Sequence, residues 1–325
     1  MIGERCIKMD KFLVDRIDMT IENYRLAKEC LRNDGDILNH FASLVFSHYE
    51  MSIPIDRVKE IRKAIKASTA RMSPFRGDSL YILSLLIATV DREKQDKLIS
   101  DIIEVSEILS EEGFVSGSYL VLTAYSICRY GKKKDKQILI ENIKEMYRLL
   151  REKYSNITDE EDYVLCALWA INNVDVETVD DFVENVFEHI ADSNIRSKNG
   201  VQGLANAIIL NGSSGDMYRV MEFMLQLQKR KIKVGYQFLP LVGILSNHNP
   251  RKYADIVEGV IDYMCDEEAE YEYYLDKDFR TVIALVVVSF CTMSNKKRYI
   301  DELLAQGIIT FINSKNKGIF EEVLN

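Results

Sequence analysis

Asp78, Asp162 and Asp278 each stand at the head of a strongly apolar stretch: DSLYILSLLIA, DYVLCALWAI and DFRTVIALVVVSF. If those stretches are inner helices of a closed ring, the three carboxylates gather toward one rim, where converging acids can do general acid–base chemistry. Glu160 and Glu161 precede Asp162, and acids at a helix start also suit the positive end of the helix dipole. The dipole accounts for the cluster without any catalytic role.

A second group carries recognition chemistry. Tyr271, Tyr273 and Tyr274 are interleaved with Glu267, Glu268, Glu270 and Glu272. Aromatics among acids can grip a basic or amphipathic peptide, and tyrosine is enriched at interface centres. Tyr271, Tyr273, Tyr274, Glu270 and Glu272 are therefore the candidate partner-binding residues. A long amphipathic helix whose tyrosines pack on the following apolar segment fits the same letters.

Other motifs carry less. His40 and His48 lie two turns apart on one expected helix, roughly 12 Å by helix rise, too far to hold one metal without further ligands. His189 and His248 stand alone near helix ends, and neither HExxH nor CxxC spacing occurs. The turn Gly212-Ser213-Ser214-Gly215 lacks the lysine and the strand of a phosphate loop. Arg76-Gly77-Asp78 spells an adhesion tripeptide, but a helix start explains it, with Gly77 for the turn and Asp78 for the cap. Three basic runs, Lys132-Lys133-Lys134 with Lys136, Lys229-Arg230-Lys231 with Lys233, and Lys296-Lys297-Arg298, fall at turns, where helix C-termini favour cations. An anionic partner would need them on one face. No catalytic, cofactor-binding or metal-binding constellation emerges.

The elements that position these residues follow from hydrophobic spacing. From Pro74 to Glu112 the chain first runs nine apolar residues in twelve positions, Ser79 to Val90, then spaces Leu98, Ile102, Val105, Ile108 and Leu109 on one stripe. The first half reads as a buried helix and the second as an amphipathic one, closed by Gly113 in a positive-φ conformation. Such a helical hairpin recurs seven times, with starts near 36, 78, 117, 160, 199, 235 and 278. In pairs two to seven the first helix is apolar almost all round and the second on one stripe. Ala70 and Ile138 are placed on the stripes of pairs one and three, and a short terminal helix near Phe320. An amphipathic helix from about Met9 to Leu31 covers the first pair, and Pro240 with Gly243 kinks the first helix of pair six.

The expected fold is all-α: an αα-hairpin repeat array, a strongly curved α-solenoid, with an α/α toroid as the alternative. It forms one domain over 1–325, with a capping helix at 1–34, seven pairs over 36–305 and a capping segment at 306–325.

Composition sets outer bounds. A chain of 325 residues with 47% hydrophobic and 29% charged residues has an ordinary soluble balance, and its net charge of −9 opposes a nucleic-acid footprint. Six scattered cysteines read as reduced thiols of a cytosolic protein. The start, MIGERCIKMDKF, lacks the apolar core of a signal peptide, and no apolar run approaches a membrane span. A cytoplasmic location is expected.

The helical-pair pattern, with PFRGDSLYILSLLIA at its most individual point, resembles an uncharacterised family of bacterial proteins known only as a domain of unknown function. The resemblance implies a bacterial, cytosolic, helical protein and supplies no activity. The residues themselves point to a non-catalytic scaffold for a protein or peptide partner. An α/α-ring enzyme or a carrier of hydrophobic ligands is the alternative.

Overall fold

The computed structural model describes residues 10–131, 134–175, 179, 181–182, 184–186, 197–210, 215–244, 249–291 and 299–316. Among them all regular structure is helical. In chain order the helices are α1 (Lys11–Cys30), α2 (Asp36–His48), α3 (Ile55–Ser68), α4 (Asp78–Ala88) and α5 (Arg92–Glu111). They continue as α6 (Ser118–Tyr130), α7 (Lys136–Lys153), α8 (Asp162–Ile171), α9 (Lys198–Ile209) and α10 (Gly215–Lys229). The last are α11 (Leu239–Ile244), α12 (Pro250–Glu267), α13 (Lys277–Cys291) and α14 (Ile300–Asn316).

Local chemistry sets most helix ends. The Asp10 carboxylate accepts from the Leu13 amide at 2.8 Å and starts α1; Asp135 does the same for α7. Gly113 takes φ +95°, and the Phe114 amide reaches back to the Leu109 carbonyl at 3.1 Å, closing α5. Pro240 and Gly243 split the first helix of pair six into a 3-10 turn, Tyr236–Phe238, followed by the six-residue α11.

Several boundaries differ from expectation. Asp78 is the first helical residue of α4, not its cap: Gly77, at φ +59°, holds the cap position without a side-chain bond. Arg76 donates to the carbonyls of Lys66 and Thr69 at the end of α3, so the tripeptide joins one helix end to the next start. Thr158, whose hydroxyl type and place before three acids suit a helix cap, is instead buried and pairs with Gln202, while α8 begins only at Asp162. Ala70 lies past the end of α3 and is exposed. Ile138 is 57% exposed, because the buried stripe of α7 runs through Leu139, Ile143, Met146 and Leu150. The expected terminal helix near Phe320 lies outside the described residues.

The apolar helices pack against one another. α2, α4, α6 and α8 touch in succession, α8 touches α9, and α9 packs on α11. The striped helices α3, α5, α7 and α12 lie against α4, α6, α8 and α13 respectively. At the far end of the chain, α13 packs on α2 and α1. Phe279 meets His40 edge-on with ring centroids 5.9 Å apart, and Phe290 stacks on His48 at 4.8 Å, so α13 runs parallel to α2. The helix α1, expected to cover the first pair, does so and also joins α12 and the turn after it: Tyr263 donates to Asp18 at 3.1 Å, and Arg25 and Lys28 pair with Glu268 and Glu270.

The largest departure is α14. Tyr299, just before it, and its residues Ile300, Leu303 and Leu304 read as the outward, one-sided helix of pair seven. Instead α14 contacts α2, α4, α6, α8 and α11 and is buried at every position from Ile300 to Phe311. Its first turn reaches His48 and Tyr130 at the ends of α2 and α6; its last part reaches Tyr119 and Glu161 at the starts of α6 and α8. It therefore runs antiparallel to these helices through the middle of the packing. The boundary expected between 305 and 306 falls inside this one helix.

Burial of this kind sets a measurable cost. Leu304→Ala should destabilise the fold by about 2–5 kcal/mol, the range for deleting a buried leucine, whereas Ile138→Ala should cost about 0.5 kcal/mol or less. Urea unfolding of the two variants checks it, and similar costs for both would contradict the inward position of α14.

Candidate functional site

The three head-of-helix aspartates occupy different local sites. Asp162 is buried at the start of α8, where Asn206 donates to one oxygen at 3.2 Å and the Asp159 amide to the other at 3.3 Å. Burial, then the neighbouring Glu161 and Asp159, push its pKa well up. Asp78 is half-buried and its pKa is raised by burial; Asp278 is half-buried at the start of α13, its amide held by Asp276. What fills the space near Asp162 is α14. Thr310 donates to the Glu161 carboxylate at 2.8 Å and Gln306 to the Glu161 carbonyl at 3.0 Å. Here Glu161 anchors a helix.

A denser polar cluster lies at the opposite end of α14, and the sequence reading did not assemble it. His48 Nδ1 is 3.0 Å from Asp301, and the Tyr130 hydroxyl donates to Glu302 at 2.8 Å. Asp301 and Glu302 are buried, and Glu302 Oε2 has no protein partner among the described residues. Burial, then the adjacent Asp301, raise the Glu302 pKa to about 8. For His48 burial works downward, but Asp301 and Glu302 outweigh it and the pKa is raised. Burial thus favours the protonated form of Glu302, while the neighbouring Asp301 favours the charged form of His48. His48 and Asp301 are 253 positions apart, so no local spacing could reveal them. Among the described residues no three side chains of ligand type are grouped to hold a metal.

The tyrosine-rich stretch divides by role. α12 ends at Glu267, and residues Glu270–Tyr274 form a π-helical turn, where a longer helix was expected. Tyr271 is fully buried: it packs against Tyr24 and His40 with ring centroids 6.1 and 5.4 Å apart, and its carbonyl accepts from Arg280 at 2.7 Å. Glu270 is occupied by Lys28 at 2.6 Å. Tyr271 and Glu270 therefore hold the turn and are not open to a partner. Tyr273 and Tyr274 are 69% and 77% exposed, and Glu272 is exposed beside them. Asp262, Asp266, Glu267 and Asp276 are exposed on the same segment, with Lys277 the one exposed cation there.

His40, under this turn, shows how strongly position governs the two histidines of α2. It stacks on Tyr24 at 3.9 Å and its pKa falls to about 3, chiefly from burial and then from Lys28. The carboxylate of Asp36 lies 3.8 Å from its Nε2, too far for a hydrogen bond, and does not offset the burial.

Helices throughout the described residues, with a helix enclosed by others and no helix long and apolar enough to cross a membrane, define an all-α protein. The chain belongs to the DUF4003 family, described as a protein of unknown function, whose family model matches residues 23–317. The likeness of PFRGDSLYILSLLIA to a family of unknown function is thereby shown. No curated protein and no solved structure matches the chain.

The carboxyl of Glu302 gives stability a pH dependence. Its folded pKa, about 8, exceeds the ordinary 4.5, so this group stabilises the fold fully below pH 4.5 and loses that effect as pH rises through about 8. His48, also raised, acts in the same sense from 6.5 upward. The urea midpoint should therefore fall between about pH 5.5 and about 8.5, and Glu302→Gln, which keeps an acceptor for Tyr130, should flatten the fall. An unchanged slope in the variant would mean that Glu302 is ionised in the fold.

Proposed function

We propose that the protein is a non-catalytic helical-repeat module that binds a basic protein or peptide partner through Tyr273, Tyr274 and Glu272. The observation that carries this reading is the two exposed tyrosines on a turn pinned from below by buried Tyr271 and from the sides by Arg280 and Lys28. A pinned turn loses little conformational freedom on binding, and tyrosine supplies a large rigid contact area. The acids around it, Asp262, Asp266, Glu267 and Asp276, select a basic segment by charge.

The same reading includes the architecture. The packing of α13 on α1 and α2 supports a closed α/α ring over an open, strongly curved solenoid. In that ring the helix α14 takes the inside, so a partner is met on the outer surface. Free thiols at Cys30, Cys128, Cys166 and Cys265 support a reducing compartment such as the cytoplasm.

A ring enzyme is the second reading, and the cluster of His48, Asp301 and Glu302 favours it, since raised carboxyl pKa values occur at acid–base sites. The packing around α14 weighs against a carrier of hydrophobic ligands. The gap among Ile82, Leu83, Val121, Leu122 and Ile309 is about 10 Å³, room for about one water.

Fluorescence anisotropy with a panel of labelled Lys/Arg-rich peptides tests the proposal. At low salt some should bind with a Kd of about 10 µM or tighter, and Tyr273→Ala with Tyr274→Ala should weaken binding about tenfold or more. Equal binding by the double variant, or none by any basic peptide at about 1 mM, would remove the assignment.

A further inference from the structure

Away from the tyrosine turn, a groove of about 590 Å³ opens between the end of α10 and the start of α12. Its lining includes Lys229, Arg230, Lys231 and Arg251 with Asp255 and Glu258. The two acids are committed to Arg230: Asp255 accepts from its Nε at 3.1 Å, and Glu258 lies 3.5 Å away. Gln226 fixes the same guanidinium through its carbonyl and side chain, at 2.7 and 3.0 Å. Lys229, Lys231 and Arg251 are exposed and have no carboxylate partner among the described residues. One of the three basic runs is thus brought onto one face, joined by an arginine from another helix.

Helix-end electrostatics explain only part of this. Lys229 and Lys231 sit at the C-terminus of α10, where the dipole favours cations. Arg251 sits in the first turn of α12, next to Lys252, where the dipole opposes them, and that turn contains no acid. Lys231 also occupies the left-handed position that closes α10, at φ +57°, with the Ile232 amide bonded to the Leu227 carbonyl at 3.0 Å. α5 fills the same position with Gly113, the residue that tolerates it. Keeping Lys231 there orients its side chain at some conformational cost, a feature found at functional sites.

We propose that this groove binds a small phosphate-bearing polyanion, with Lys229, Lys231 and Arg251 as its contacts, while Arg230 holds and partly offsets the two floor carboxylates, Asp255 and Glu258. A multivalent anion relieves the repulsion among the three cations, and a groove of this volume suits a small molecule. The chain's net charge of −9 disfavours a long nucleic acid at the same place.

Isothermal titration of the full chain with inorganic tripolyphosphate at low salt tests the site. Saturable one-to-one binding is expected, with a Kd of about 100 µM or tighter. Lys231→Ala with Arg251→Ala should weaken it about tenfold or more without lowering the melting temperature, and Lys97→Ala, remote in sequence and paired with Asp101, should leave binding intact. No binding at about 10 mM, equal loss in all variants, or tighter binding of a single-stranded oligonucleotide than of tripolyphosphate would overturn the proposal.

Discussion

A helix surrounded by other helices must give up water on every face, and α14 does so from Ile300 to Phe311 while carrying Asp301, Glu302, Gln306 and Thr310, with Ser314 buried one turn on. An unpaired buried polar group is costly, and each of these side chains makes at least one bond to protein, with Glu302 Oε2 and Gln306 Oε1 left without a protein partner among the described residues. The partners come from different helices: His48 from α2, Tyr130 from α6, the Glu161 carbonyl and carboxylate beside α8, and Tyr236 from the 3-10 turn. Apolar contact alone would let α14 slide or rotate between equally greasy surfaces. The polar bonds allow one depth and one rotation, and they tie the last described helix to elements from nearly every part of the chain.

That arrangement explains where the sequence was legible. The helices themselves, the Gly113 turn and the break near Pro240 depend on neighbours within a few residues, and each appears in the structure near its expected place. α14 depends on distant partners. Its acids and amides look like a solvent face at helical spacing, and only hydrogen bonds spanning 145 to 253 positions turn them into an interior one. The error at Ile138 is of the opposite kind: an apolar residue one step from Leu139 is rotated about 100° away from the stripe and simply stays in water.

The candidate site shows the same division. The run of tyrosines and glutamates was legible as unusual, but which of them face outward was not. Tyr271 is drawn inward by Tyr24 and His40 on helices more than two hundred residues earlier, and Glu270 by Lys28. Removing those two from the exposed set strengthens the case for the others, because the inward pair fixes the turn that presents Tyr273 and Tyr274. The two histidines of α2 make the parallel point for charge. His40, under aromatic rings, is driven toward neutrality, while His48, two turns on, is driven toward charge by Asp301.

α12 links the two proposed surfaces through a departure from ordinary helix electrostatics. Several helices follow the dipole: α1, α3, α6, α7 and α10 carry a base in the last turn, and α4, α8 and α14 an acid in the first. α12 has no acid in its first turn and no base in its last; it begins with Arg251 and Lys252 and ends with Asp266 and Glu267. Charges placed against the dipole cost up to about 1 kcal/mol each, so stability does not account for them. Across its 18 residues, about 27 Å by helix rise, this helix separates a positive groove from an acidic turn. That distance exceeds the roughly 8 Å screening length at physiological salt, so the field at either end is little affected by the charges at the other.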